Sequence, residues 1–192
     1  MPFNGMTLLD YAINTSLVIS KTAVNKQDKI GLISFSNVID TALKASKQRA
    51  QMKKILESLY REKESLLDAN YELLYRMIKN FIRSRSLIFL FTNFENLHSL
   101  HRVLSVLRKI GKLHLLVVVI FENTEIIDYS QQEASDMKGI YYQTIAQKFI
   151  SEKHQIVKEL TQYGIQTILS KPEDLSINTI NKYLELKSRG MI

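Results

Sequence analysis

No cysteine occurs among the 192 residues, which excludes disulfides, thiolate metal sites and thiol catalysis and leaves the redox compartment open. Proline is limited to Pro2 and Pro172, and there is no Pro/Gly-rich linker, internal repeat or low-complexity segment. The six glycines are scattered, whereas a dinucleotide turn or a P-loop needs them clustered so that bare backbone can approach a phosphate. Long apolar runs are missing too. The longest, Leu115 to Phe121, is far too short to cross a bilayer and suits a buried strand. The opening MPFNGMTLLD has no basic segment followed by an apolar one, so no signal peptide is expected.

What is present describes an ordinary globular chain, 45% hydrophobic and 23% charged, and residues 1–192 are expected to form a single domain. Net charge is +7, but the lysines and arginines are dispersed, which predicts an evenly charged, solvated surface and no nucleic-acid partner. The basic stretch KASKQRAQMKK lacks the interleaved aromatics of a nucleic-acid platform and is read as a solvent face.

Periodicity alternates between helix and strand along the chain. TLLDYAINTSLVISKTAVNK has helical spacing with Thr7 as its cap, and KIGLISFS followed by NVIDTALKAS predicts a hairpin. Residues 47–60 and LLDANYELLYRMIKNFI read as helices, and RSRSLIFLFTNFEN as a buried strand. LHSLHRVLSVLRKIGK reads as an amphipathic helix stopping near Gly111, followed by the strand LHLLVVVIFEN, apolar on both faces. The stretch from Thr124 to Gly164 is helical with an interruption near Gly139, and Gly164 is its carboxyl cap. IQTILSKP is a last strand, and Ser176 caps a final helix through Leu186. The expected fold is α/β, a three-layer sandwich with a mainly parallel sheet between two helix layers.

In such a sheet, ligands bind outside the carboxyl ends of the strands. Those ends here are polar: Ser34 to Asn37, Thr92 to Asn96 and Glu122 to Thr124. The plainer reading is that these residues satisfy strand ends and cap the next helix, Asn96 above all. Glu95, His98 and His101 share one helical face at i, i+3 spacing, a carboxylate and two imidazoles of the kind that hold zinc or iron in a hydrolase or nuclease-like enzyme. No second cluster in the sequence completes that set, and surface-helix residues are the plainer reading. No G-x-S-x-G elbow is present, and nothing in the sequence pairs any two of Asp10, Glu64 and Asp68 into an acid/base couple, so they are read as solvated.

The succession LLDYAINTSLVISKTAVNKQDKIGLISFSN, LLDANYELLYRMIKNFIRSRSLIFLFTNFE and LRKIGKLHLLVVVIFEN resembles the von Willebrand factor A-like part of the bacterial family called domain of unknown function 58. The resemblance is close from about Met1 to Asn123 and looser beyond. It implies a cytoplasmic, membrane-tethered domain that acts with MoxR-type AAA+ ATPases in chaperone-like assembly. It also implies a divalent metal at the strand ends, held by an Asp-x-Ser-x-Ser loop after the first strand, a Thr in a second loop and an Asp after the fourth strand.

This sequence departs from that pattern. The first strand and its loop would precede Met1, so the expectation is an N-terminally truncated domain, a C-terminal fragment of a longer protein whose anchor lies upstream. Asn93 stands where the last Asp is expected, and an amide oxygen is a weaker ligand for a hard cation than a carboxylate. Ser65 is the candidate second-loop hydroxyl, with Glu64 and Asp68 as alternatives. The metal site is therefore expected to be degenerate, with no cofactor here and magnesium or manganese only in the full-length protein. The expected function is non-enzymatic binding of a protein partner through a rim of Ser36, Asn93, Glu95, Glu122 and Asn123. Without its central strand, the sheet must either close up so that the strands near Ile30 and Leu87 pair, or leave an unpaired backbone edge.

Overall fold

The computed structural model describes residues 5–65, 67–132 and 136–191. Helix α1 (Leu8–Asn25) starts where Thr7 and Asp10 cap one another reciprocally, the side chain of each accepting from the other's backbone N–H. It ends in a turn through Gln27, a non-glycine residue with φ of 61°. The chain continues into β1 (Ile30–Phe35) and β2 (Ile39–Ser46), an antiparallel hairpin, and then α2 (Ala50–Tyr60) and α3 (Tyr71–Phe81). The second half alternates β3 (Leu87–Phe91), α4 (Leu97–Leu113), β4 (Leu115–Phe121), α5 (Thr124–Ser130), α6 (Met137–Gln162), β5 (Gln166–Ser170) and α7 (Leu175–Ser188).

Strands β3, β4 and β5 form a parallel sheet in that order, flanked by helices. Strand β4 is buried at all seven positions, and its alternation divides the core. Leu116, Val118 and Ile120 face Leu74 and Ile78 of α3, Leu107 and Ile110 of α4 and Ile156 and Leu160 of α6. Leu115, Val117, Val119 and Phe121 face Tyr11 of α1 and Leu175 and Leu186 of α7. Helices therefore cover both faces of the parallel sheet, which is why β4 carries no polar residue.

The sheet is not continuous. The β1–β2 hairpin and the β3–β4–β5 sheet share no strand pairing, so the strands at Ile30 and Leu87 do not close up. Met6 forms an isolated bridge ahead of α1, but among the described residues no strand lies on the second edge of β1 or of β3. Four of the five residues of β3, Leu87, Ile88, Phe89 and Phe91, are only half-buried in consequence. The two sheets still lie side by side, with β1 and β3 running in the same sense. Ile30 packs in one cluster with Leu87 and Phe89 at their amino ends, and at their carboxyl ends Tyr71 meets both Phe35 and Thr92.

Several expected boundaries move. Helix α4 runs through Gly111 to Leu113, since that glycine does not take the positive φ that would end it, and even an added Cβ there would meet only Ile165 at an ordinary 3.6 Å. The break in the stretch after Thr124 falls ahead of α6, where Asp136 caps the backbone N–H of Gly139, and residues 133–135 of that break lie outside the described residues. The capped helix of the LLDANYELL stretch starts only at Tyr71, behind Asn70, whose side chain accepts from Leu73 N. Ser176 is inside α7 and bonds Thr15 of α1 at 2.9 Å. Gly164, with φ of 73°, does end the long helix as expected. No described helix is long and apolar enough to cross a membrane.

Candidate functional site

The carboxyl ends of β1, β3, β4 and β5 come together on one side of the molecule. Thr92 N–H donates to Val119 O at 3.0 Å and Glu122 N–H to Ser170 O at 2.9 Å, extending the parallel ladder one residue beyond each strand. Ser36, on the hairpin, joins the same rim through α3. Asn70 N–H donates to Ser36 O at 2.8 Å, and the next residue, Tyr71, places its hydroxyl 2.5 Å from Thr92 Oγ1. The Tyr71 ring is edge-on to Phe35 at 5.5 Å and stacked on Phe94 at 6.3 Å, so one side chain spans the two sheets. Burial pushes the Tyr71 phenol above its ordinary pKa, against the opposing effect of its bond with Thr92.

Two of the polar strand-end residues spend their side chains on helix starts. Asn96 Oδ1 accepts from Ser99 N–H at 2.9 Å and caps α4, and Asn123 Oδ1 accepts from Ile126 N–H at 3.1 Å and caps α5. Ser36 Oγ lies 3.2 Å from Asn37 Oδ1, and Ser65 Oγ accepts from Leu67 N–H at 3.2 Å in an exposed loop. Among the described residues no hydrogen bond or ion pair links Ser65 to Asn93.

Asn93 is held instead by a lysine that no motif or periodicity singles out. Lys153 of α6 is buried, and its ammonium donates to Asn93 Oδ1 at 2.6 Å and to the Phe94 carbonyl at 2.5 Å. Burial lowers its pKa from 10.5 to about 8, with the nearby Glu95 carboxylate working in the opposite direction. The centre of the rim thus already contains a cation supplied by the fold, beneath an exposed amide and an exposed carboxylate. Lys153 lies in a long helix of mixed polarity, and only the packing of α6 against the β3–α4 loop distinguishes it from the solvated lysines around it.

The histidine series separates. His101 Nε2 lies 2.9 Å from Glu159 Oε2 of α6, so its partner is neither Glu95 nor His98. Among the described residues no group of three or more histidine, aspartate or glutamate side chains is placed to hold a metal ion. A different carboxylate does structural work in the hairpin: Glu62, just past α2, accepts from Ser34 Oγ at 2.5 Å and Thr41 Oγ1 at 3.1 Å, tying β1 to β2 across their pairing.

The strand ends therefore gather polar groups on one side of the molecule, with the buried Lys153 ammonium beneath Asn93. No protein-family model, curated protein or solved structure matches this chain.

Proposed function

We propose that this chain is a non-enzymatic, von Willebrand factor A-like interaction domain that binds a protein partner through the strand-end rim of Ser36, Asn93, Glu95, Glu122 and Asn123. The observation that carries this reading is the Lys153 ammonium held by Asn93 and the Phe94 carbonyl. A fixed positive charge under the rim takes the electrostatic place that the resemblance gives to a divalent metal, and Asn93, neutral where a carboxylate is expected, suits an ammonium neighbour. The rim then presents Asn93 and Glu95 outward without needing a cofactor. On the resemblance, the partner is a MoxR-type AAA+ ATPase in the cytoplasm, and the role is chaperone-like assembly at the membrane.

The test is titration calorimetry of this chain against the MoxR-type ATPase of its own source, with and without magnesium or manganese beyond what the ATPase needs. Replacing Asn93 and Glu95 together by alanine and lysine weakens binding at least about tenfold if the rim is the interface. Unchanged affinity in that double variant rules the rim out.

A further inference from the structure

Cations that are dispersed along the sequence gather, on folding, at the end of the molecule opposite the rim. The pairing of Ile30 with Ser46 sets Lys29 and Lys47 side by side, one residue beyond each strand. Ile30 shares a cluster with Leu87, which brings Arg83 and Arg85, in the turn ahead of β3, to the same place. Leu115 N–H donates to Ser86 O at 2.9 Å, so Lys112, in the last turn of α4, stands close to that turn. Lys26 closes α1, and its carbonyl accepts from Lys187 of α7 at 3.4 Å. Lys26, Lys29, Lys47, Arg83, Arg85 and Lys112 are all exposed, and none forms a salt bridge among the described residues.

The carboxylates beside them are Asp28 and Glu185, and both are already taken. Lys187 bonds Asp28 at 2.5 Å together with the Tyr183 hydroxyl, and Lys182 and Arg189 pair with Glu185 at 3.1 and 2.9 Å. The rim end instead carries Asp40, Glu62, Asp68, Glu95, Glu122 and Glu125. The surface is therefore not evenly charged, and the net charge of +7 is concentrated on one face. Helix ends account for part of this. Helices α1, α3, α4 and α7 finish here, and cations complement the negative ends of their dipoles. Lys29, Lys47 and Arg85 lie outside every helix, and Lys47 stands just ahead of the amino end of α2, where the dipole disfavours a cation.

Apolar side chains accompany these cations. Leu113 at the end of α4, Tyr163 at the end of α6 and Met191 behind α7 are 42%, 45% and 40% exposed. The Arg108 guanidinium lies 4.4 Å from the centroid of the Tyr163 ring, a pairing of apolar bodies and polar tips that suits a lipid headgroup layer. The six cations come from four separate connections around the end of the sheet, and not from one helix or one groove. Such a spread matches a broad anionic surface better than the track of a nucleic-acid strand, which calls for open aromatic faces, and Arg108 already covers one face of Tyr163.

We propose that this end of the molecule lies against an acidic phospholipid surface, with Lys29, Lys47, Arg83 and Arg85 among the headgroups and Leu113, Tyr163 and Met191 at the acyl boundary. Contact of this kind is peripheral, and it turns the rim away from the lipid. The inference goes beyond the rim reading and stands without it, because no rim residue takes part.

The test is co-sedimentation of the 192-residue chain with vesicles of phosphatidylcholine alone or with about one-third phosphatidylglycerol. Binding is expected to the anionic vesicles only, and to be lost when salt is raised from about 0.05 to 0.5 M. One surface cation is worth about fivefold in partition, so Arg83→Gln with Arg85→Gln is expected to weaken binding about twentyfold. The exposed pair Lys138→Gln and Lys148→Gln makes the same change in net charge at the other end and leaves binding unchanged. Because the chain has no cysteine, single sites take a fluorescent label cleanly. A label at Leu113→Cys is quenched by brominated lipid, and one at Glu125→Cys is not. Absent or equal binding to the two kinds of vesicle, equal loss in the two double variants, or quenching at Glu125→Cys alone overturns the proposal. Tighter binding to a random-sequence DNA duplex than to anionic vesicles at the same salt reassigns the face to a nucleic-acid backbone and overturns it too.

Discussion

The hydroxyl of Tyr71 lies 2.5 Å from Thr92 Oγ1, and this contact fastens the start of α3 to the end of β3 across the gap between the sheets. The preceding residue fastens the same helix start to the hairpin, through Asn70 N–H and Ser36 O. Two consecutive residues therefore link, at their carboxyl ends, two sheets that share no strand pairing.

Tyr71→Phe removes the hydroxyl and keeps the ring against Phe35 and Phe94. It is expected to cost about 1 kcal/mol of unfolding free energy, the usual net value of one such bond. Urea denaturation measures it, and a loss below a few tenths would mean that the ring alone makes the connection.

Lys153 has a folded-state pKa of about 8 against 10.5 for an unperturbed lysine. Between those values the unfolded chain binds more protons than the folded one, so this residue makes stability rise with pH across that window. The penalty for its buried charge is fully present below about 8 and gone above 10.5, a span worth on the order of 3 kcal/mol at most. Lys153→Met is expected to flatten that part of the stability profile. Equal slopes for the two proteins between pH 8 and 10 would show that the ammonium is not buried as described.

Gly31 has no positive φ, yet an added Cβ would lie 2.7 Å from Leu43 O and 3.0 Å from Ala45 N across the hairpin. Both neighbours are backbone and cannot swing aside. The pairing register is irregular here, between Ile30 and Leu32, and the buried Gln51 side chain bonds the Ile30 and Lys44 carbonyls at 3.0 and 2.8 Å. Gly31→Ala is expected to destabilise the protein by about 1–3 kcal/mol, read from the denaturation midpoint. A neutral result would mean that the hairpin can open at this point without cost.

Gln27 presents the opposite case, a side chain at φ of 61° where glycine is the unstrained choice. Gln27→Gly relieves that strain but loosens the unfolded chain, leaving a net gain of about 0.5 kcal/mol. Thermal unfolding of Gln27→Gly beside Gln27→Ala separates the two effects, since the alanine variant keeps the strain and gains nothing.

The alternation of helices and strands was legible because the periods are clean: LLVVVIF has no polar residue, and LHSLHRVLSVL repeats its leucines and valines on one helical face. Caps with short polar side chains, at Thr7, Asn96 and Asn123, were visible for the same local reason. Gly111 misled because glycine after a helical run often ends it by taking a positive φ, which this one does not, so the helix runs on to Leu113. The break between the two sheets was posed as a choice between closing up and leaving an edge, and periodicity has no means of deciding that, since pairing depends on residues far apart. Lys153 was illegible because its burial comes from the docking of α6 on the loop after β3, sixty residues away.

The discontinuity between hairpin and parallel sheet divides the molecule's rigidity. Strand β4, fully buried and paired on both edges, is a stiff spine, whereas the hairpin is coupled to that spine by side-chain packing, by helices and by the Asn70 bond. Twisting the hairpin against the sheet breaks no ladder hydrogen bond, so it is the soft mode of this architecture and opens at lower free energy than the spine. A molecule built this way has one half that holds its shape and another whose angle is set by whatever lies against it.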